Sequence, residues 1–122
     1  MRVIMDNEQA NREKMAQACA NTLDTDFFSA LCEPVRVELI RVLIVKGLSD
    51  IQTLAKEFSQ DRSVISRHLK VLQNAGIVSA NKVGRHQYFQ LNGQSILEQL
   101  SSITNVLEEI IPMCCPPQSD DF

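Results

Sequence analysis

The sequence predicts a mainly α-helical fold of the α+β class that carries one small β-hairpin. Apolar residues recur at helical spacing along most of the 122 residues, and this spacing changes to about two between residues 77 and 91. The composition, with 44% hydrophobic and 22% charged residues, is that of a globular protein. The length suits one domain, so we expect residues 1–122 to fold as a single unit.

The first half of the chain is expected to begin with three helices. Residues 7–23 are rich in Ala and contain neither Gly nor Pro, which predicts an N-terminal helix. Thr25 or Asp26 can cap a short second segment. Pro34 suits the first turn of a third helix, which is expected to end near Lys46 and Gly47.

Residues 51–75 are expected to hold two further helices joined by a short polar break. Asp50 or Ser49 can cap the first of them, and Gly76 follows the second where helices usually end. The second helix is amphipathic. Its buried side is predicted to hold Ile65, Leu69 and Leu72, and its outer side Arg62, Ser63, Ser66, Arg67, Lys70 and Gln73.

The last third of the chain predicts a hairpin, a long helix and a short tail. Residues 77–91 alternate as strands do, and Gly84 lies at the tip of the hairpin. Residues 93–111 carry an apolar stripe at helical spacing. Pro112 is expected to end that helix, so that residues 112–122 form a tail with Cys114 and Cys115.

The charge is distributed unevenly along the chain. The net charge is −3, yet residues 59–91 carry a net charge of +4 between flanks of −2 and −5. A basic middle segment can present one positive face although the whole chain is acidic, because a polyanion responds to the local field.

Two short helices joined by a tight turn, the second of them cationic outside, predict a helix-turn-helix that places its second helix in the DNA major groove. Arginine can donate two hydrogen bonds to guanine, and serine can reach phosphates or base edges. The hairpin that follows suits the DNA backbone or minor groove. The predicted DNA contacts are Arg62, Ser63, Ser66, Arg67, His68 and Lys70 on the helix, with Lys82, Arg85 and His86 on the hairpin.

Several motifs in the correct order identify a family. SVISRHLKVL at residues 63–72, AGIV at 75–78, GRHQYFQL at 84–91 and LCEPVR at 31–36 closely resemble the ArsR/SmtB family of winged helix-turn-helix repressors. The resemblance covers about residues 24–100. It implies a homodimer formed largely by the first and last helices, residues 7–23 and 93–111. It also implies that the dimer binds an inverted-repeat operator on double-stranded DNA and releases it when an effector binds.

The effector sites that the resemblance implies can be compared residue by residue. Asp50 and Gln52 stand where some members carry a Cys-x-Cys pair, and residues 92–122 contain no His for the zinc site of others. Arg41 stands where a third group carries the first of two redox-active cysteines. The effector is therefore expected to act through other residues.

Four cysteines, Cys19, Cys32, Cys114 and Cys115, could form that site. We expect Cys32, Cys114 and Cys115, within one chain or across the dimer, to bind trivalent arsenic or antimony, with Cys19 as an alternate donor, because thiolates select soft ions. Another soft metal ion such as Cu(I), or oxidation to a disulfide, would switch the same fold. Cys19 and Cys32 could also simply fill space, as buried cysteines often do. No obligatory cofactor is expected.

Other classes of function are weaker matches to the sequence. It contains no Gly-rich phosphate loop and no paired His, so we do not expect an enzyme. No apolar run reaches the ~18 residues that a membrane helix needs, and the N-terminus lacks signal-peptide features. The cytoplasm is the expected compartment. A winged helix that serves only protein interaction remains the rival, although the cations Arg62, Arg67 and Lys70 argue against it.

Overall fold

The computed structural model describes residues 2–115, with side chains from residue 7 onward. Over this range it confirms a mainly helical fold with a small antiparallel sheet. The chain divides into two compact units, one that runs to Asp24 and resumes at Glu98, and one formed by Thr25–Leu97. That residues 1–122 form a single domain stays a prediction.

The central unit, Thr25–Leu97, contains most of the elements. They are α2 (Asp26–Ala30), α3 (Pro34–Lys46), β1 (Ser49–Asp50), α4 (Ile51–Ala55), α5 (Arg62–Asn74), β2 (Val78–Val83) and β3 (His86–Leu91), followed by the start of α6 (Gly93–Cys114). As predicted, Pro34 opens α3 and Gly47 follows its last residue.

Two glycines shape the chain around the hairpin. Gly76, with φ of +75°, follows α5, and the N–H of Ile77 then donates to the carbonyl of Leu72 at 2.9 Å. Gly84, with φ of +64°, is the first residue of the two-residue turn between β2 and β3. Positive φ at this position is typical of a type II′ hairpin turn and costs glycine little.

One apolar core fixes the orientation of α5. The side chains of Ile65, Leu69 and Leu72 are fully buried, as the sequence predicts. They belong to one cluster with Leu39 of α3 and Leu54 of α4. Because these residues occupy one side of α5, the opposite side of the helix faces solvent.

The sheet has three strands in the order β1-β3-β2, all antiparallel. The sequence predicted β2 and β3 but not β1. Ser49 pairs with Phe89 and Asp50 with Tyr88, so β1 places the start of α4 against the hairpin. Phe89 joins the core cluster, which fixes the hairpin on the central unit.

Asp50, and not Ser49, caps α4. Its carboxylate accepts a hydrogen bond from the Thr53 N–H at 2.9 Å, whereas the buried Ser49 hydroxyl donates to the carbonyl of Gly47 at 2.9 Å. The bond from Thr53 holds the pKa of Asp50 below its usual value. The ionised carboxylate is therefore the better cap.

We expect Asp50→Ala to lower the thermal unfolding midpoint at neutral pH. Because the folded pKa is lowered, the stabilisation is complete above the unfolded pKa and is lost as pH falls through the folded pKa. The difference between wild type and variant should shrink on acidification, which calorimetry at a series of pH values would show. Asp61→Ala is the matched control, since Asp61 precedes α5 without a side-chain cap bond. A difference that is independent of pH would contradict the assignment.

The second unit contains α1 (Arg2–Leu23) and α6 from Glu98 onward. Both helices are longer than predicted. The first begins at Arg2 rather than residue 7. The last was predicted at residues 93–111 but continues through Pro112 to Cys114. Residues 116–122 of the predicted tail lie outside the described residues.

Pro112 does not end α6, which corrects the prediction. Proline removes one N–H donor from a helix. Because Pro112 lies in the last turn of α6, few helical hydrogen bonds follow it. The Cys115 N–H still donates to the carbonyl of Ile111 at 2.8 Å, in the spacing of an α-helix. The continuation keeps Cys114 on the helix.

The apolar stripe of α6 remains largely exposed in one chain. None of its described residues is buried, and Leu97, Leu100, Leu107 and Ile111 are between 36% and 63% exposed. Ile96, at the start of the stripe, packs against the core cluster, whereas these four exposed residues do not belong to it. No helix within residues 2–115 is long and apolar enough to cross a membrane.

Candidate nucleic-acid interface and thiol site

The helix-turn-helix consists of α4 and α5, joined by residues 56–61. Leu54 anchors the first helix in the core, and Leu69 anchors the second. Both anchors are fully buried. The orientation of α5 is therefore set from within, and its outer side is available for a ligand.

The structure places the predicted DNA contacts on exposed surfaces of the central unit. Only His68 is half-buried. The exposed residues are Arg62, Ser63, Ser66, Arg67 and Lys70 on α5, with Lys82, Arg85 and His86 at the end of the hairpin. The geometry thus leaves all the predicted cations accessible.

The N-terminal part of α5 adjoins the hairpin. Arg62, Ser63 and Ser66 line one surface cavity of about 490 Å³ together with Gln87 and Phe89 of β3. Gln87 is exposed there, and we did not predict it as a contact residue. Gln87 lies on the same face of β3 as the buried Phe89, so alternation predicts that it is buried. It is exposed because it lies closer to the hairpin tip, and the alternating pattern therefore gave no signal for Gln87 as a contact residue.

The cations of this surface make no ion pair within the described residues. The ion pairs there join Arg41 to Glu38 and Lys46 to Glu57. Neither involves a cation of α5 or of the hairpin. The arginines and lysines of that face are therefore not held in ion pairs and can attract phosphates.

The cysteines lie in both units. Cys32 is exposed in the central unit, where its thiol donates to the carbonyl of Phe28 at 3.4 Å. In the other unit the Cys114 and Cys115 sulfurs are 3.1 Å apart. Cys19 and Cys114 line one cavity of about 390 Å³ between α1 and α6. Of the predicted thiol ligands, the structure thus brings Cys19, Cys114 and Cys115 into the same unit.

The adjacent thiols interact. The hydrogen bond to Cys114 raises the pKa of Cys115, and the charge of Cys114 acts in the same direction. Among the described residues, no three His, Cys, Asp or Glu side chains are grouped so that they could hold a metal ion. Among the described contacts, the one between the Cys114 and Cys115 sulfurs is the shortest between two soft donors.

Comparison with known proteins identifies the family. A family model for a bacterial regulatory protein of the arsR family matches residues 33–80. The arsenical resistance operon repressor of Bacillus subtilis is 30% identical over 74 residues, which is 61% of this chain and 70% of that protein. A crystal structure of a possible transcriptional regulator for arsenical resistance is 32% identical, covers 77% of this chain and 98% of its own, and gives a TM-score of 0.58. The chain belongs to the ArsR family.

As an ArsR-family member, the chain is a DNA-binding transcriptional repressor with a winged helix-turn-helix. The antiparallel strands β2 and β3 form its wing. The same fold occurs in a homodimeric winged helix-turn-helix domain from Mycobacterium bovis, with 20% identity, a TM-score of 0.58, and coverage of 76% of this chain and 84% of that one.

In this ArsR-family chain, the contact of Arg36 with the predicted site residue His68 was not predicted. The Arg36 Nε donates to the carbonyl of Ala30 at 2.7 Å, and its Nη1 lies 3.2 Å from Nδ1 of His68 on α5. A guanidinium can only donate, so Nδ1 accepts in this contact. Arg36, on α3, therefore links α5 to the end of α2. The two residues are 32 positions apart, so no local pattern could reveal the contact.

We expect Cys114→Ala to make Cys115 more reactive toward iodoacetamide near neutral pH. The variant removes the hydrogen bond that raises the pKa of Cys115, so a larger fraction of that thiol ionises at a given pH. Peptide mass spectrometry over a pH series would locate the midpoint of alkylation, which should move to lower pH. Cys19→Ala is the control and should not move it. An unchanged midpoint in Cys114→Ala would show that the two thiols do not interact in solution.

Proposed function

We propose that this chain is a homodimeric ArsR-family repressor that binds an inverted-repeat operator and releases it when trivalent arsenic or antimony binds cysteine thiolates. The observation that carries the effector assignment is the pair of Cys114 and Cys115 sulfurs at 3.1 Å. The two named relatives concerned with arsenical resistance support the same effector class. The cytoplasm suits this function, because thiols stay reduced there.

The DNA-binding surface is the outer side of α5 with the wing. Arg62, Ser63, Ser66 and Arg67 lie at the N-terminal half of the helix, the part that meets base edges in a helix-turn-helix. His68, Lys70 and the wing residues Lys82, Arg85 and His86 serve as phosphate contacts. No binding to the promoter of its own gene at low salt would instead favour a winged-helix protein-interaction module.

The dimer is proposed to form through α1 and α6. The exposed apolar stripe of α6 from Leu97 to Ile111 is the surface that supports this, since water is an unfavourable neighbour for so many aliphatic side chains. The related domain from Mycobacterium bovis is homodimeric. Two recognition helices in one dimer would address half-sites roughly 34 Å apart.

Arsenic or antimony would be held by Cys32, Cys114 and Cys115, within one chain or across the dimer, with Cys19 as an alternate donor. Trivalent arsenic forms bonds to three sulfurs, and soft thiolates favour it over hard cations. Cys32 and the vicinal pair are exposed and therefore accessible to a small inorganic ligand. A site at the helices that form the dimer could change the spacing of the two recognition helices.

Fluorescence anisotropy on a duplex from the gene's own promoter tests the proposal. Fully reduced protein, kept free of oxygen, should bind the duplex and release it as arsenite is added. A coupling of about 1–3 kcal/mol corresponds to a roughly 5–150-fold loss of affinity. The Cys114→Ser/Cys115→Ser variant should bind DNA like wild type and should not release it when arsenite is added. Equal arsenite affinity of that variant and wild type would contradict the assignment of the pair.

Oxidation is a second candidate switch, in which Cys114 or Cys115 would form a disulfide with Cys32 or with the partner chain, and the exposure of these three thiols favours it. Hydrogen peroxide would convert two thiols into one disulfide and two molecules of water. Release of DNA by peroxide, together with loss of two hydrogens from the intact mass, would support this candidate. Release by arsenite under anaerobic conditions at unchanged oxidation state supports the metalloid instead.

A further inference from the structure

The vicinal thiols lie beside an apolar cavity within the unit formed by α1 and α6. Cys114 belongs to both features, since it contacts Cys115 at 3.1 Å between sulfurs and also lines the cavity of about 390 Å³. The other apolar or sulfur-bearing residues of the lining are Met15, Ala16, Cys19, Ile110 and Met113. A ligand bound to Cys114 therefore has an apolar space next to it.

We propose that the Cys114–Cys115 pair and this cavity together bind a trivalent arsenical that carries one organic group. Trivalent arsenic forms three bonds. Where one bond is to carbon, two remain, and the vicinal pair supplies both sulfurs. The inference deepens the proposed function by naming the ligand class, and it rests on that function only for the release of DNA.

The binding step balances without an oxidant or reductant. An organoarsenous acid carries two hydroxyl groups on arsenic. Two As–S bonds form, to Cys114 and Cys115, and two As–O bonds break. Each departing hydroxyl takes the proton of one thiol and leaves as water, while arsenic stays trivalent. The hydrogen bond to Cys114 raises the pKa of Cys115, so the Cys115 thiol brings a proton to the hydroxyl that leaves.

The cavity suits a small apolar substituent. Its volume lies toward the lower end of the ~300–1,000 Å³ typical of small-molecule sites, enough for one aromatic ring or a short alkyl group. Methionine side chains such as Met15 and Met113 adapt to irregular shapes and contact aromatic rings favourably. Removing the organic group from water would add affinity that inorganic arsenite cannot gain.

Titration of reduced, full-length protein with phenylarsine oxide tests the proposal by calorimetry, with intact mass to count adducts. Ala16→Phe places a ring in the cavity, and we expect it to weaken phenylarsenical binding by about tenfold or more, equivalent to about 1.4 kcal/mol. Ala20→Phe is the matched control, because Ala20 is an exposed alanine of α1 that does not line the cavity. Arsenite affinity should be alike in both variants. Equal phenylarsenical affinity of the two variants would overturn the proposal.

A measurement on the unaltered protein removes the dependence on a variant that folds. The ratio of phenyl to methyl arsenical affinity is compared with the same ratio for dithiothreitol, which has two thiols and no cavity. A higher ratio for the protein supports the cavity, and an equal ratio overturns it. Release of the promoter duplex by arsenite with an equal ratio would leave the proposed function intact while this inference fails. A higher ratio without release of DNA would support this inference and contradict the proposed function.

Discussion

Replacing Leu69 with alanine is expected to lower the free energy of unfolding by about 2–5 kcal/mol, the range for leucine deletions in well-packed cores. Leu69 is fully buried and belongs to the cluster that joins α5 to α3 and α4. Truncation removes apolar contacts and leaves a cavity that rigid neighbouring helices fill only in part. A small domain with a total stability of about 5–15 kcal/mol would lose a large share of it.

Urea unfolding monitored by circular dichroism would measure this loss. Val71→Ala is the control on the same helix, since Val71 is 40% exposed and its truncation removes much less buried surface. The operator affinity of Leu69→Ala should be measured well below the urea concentration at which the variant unfolds. It should differ less from wild type than the free energy of unfolding does. A Leu69→Ala variant as stable as Val71→Ala would contradict the core packing described for α5.

The second large effect concerns DNA affinity. We expect Arg67→Ala to weaken operator binding by about 1–3 kcal/mol and to relax the preference for one base pair, if its guanidinium contacts guanine. The side chain is exposed on the outer side of α5 and forms no ion pair within the described residues. Anisotropy on the operator and on single-base variants of it would measure both effects.

Lys82→Ala separates base contact from phosphate contact. Lys82 lies on β2 close to the wing tip, so its loss should weaken binding equally for all sequences and reduce the slope of log K against log salt by about one. Arg67→Ala should change the ranking of the base variants instead. If Arg67→Ala left both affinity and ranking unchanged, its place in the interface would be wrong.

Much of the fold followed from periodicity. The buried side of α5, with Ile65, Leu69 and Leu72, was predicted because three apolar residues at helical spacing stood opposite a polar set. The start of α3 and the end of α5 followed from Pro34 and Gly76, whose backbone preferences act locally. These features depend on neighbours within one or two turns of the chain.

Two features of the fold, strand β1 and the last turn of α6, were not predicted. Strand β1 has only two residues, too few to show alternation, and it exists because β3 pairs with it. Helix α6 passes through Pro112 although the residue usually ends helices, since the following Cys115 N–H still finds a carbonyl partner. In both cases hydrogen bonding in the folded chain outweighs the local preference.

The placement of the candidate site's residues was predicted in part. The exposed polar set of α5 and the wing cations followed from amphipathicity and from the resemblance to the family. The contact of Arg36 with His68 depends on how α3 packs against α5, and the proximity of Cys19 and Cys114 to one cavity depends on how α1 packs against α6. Neither packing arrangement has a signature in the order of residues.

Strand β1 makes the wing and the helix-turn-helix a single cooperative unit toward local unfolding. Asp50 pairs with Tyr88 of β3 and also caps α4. If the wing detaches, Asp50 loses its strand partner, and the first turn of α4 is weakened with it. Amides of β3 and of the start of α4 should therefore exchange with deuterium at similar opening free energies. The tip at Gly84, beyond the β1 pairing, should exchange faster and retain freedom to follow the contour of a DNA backbone.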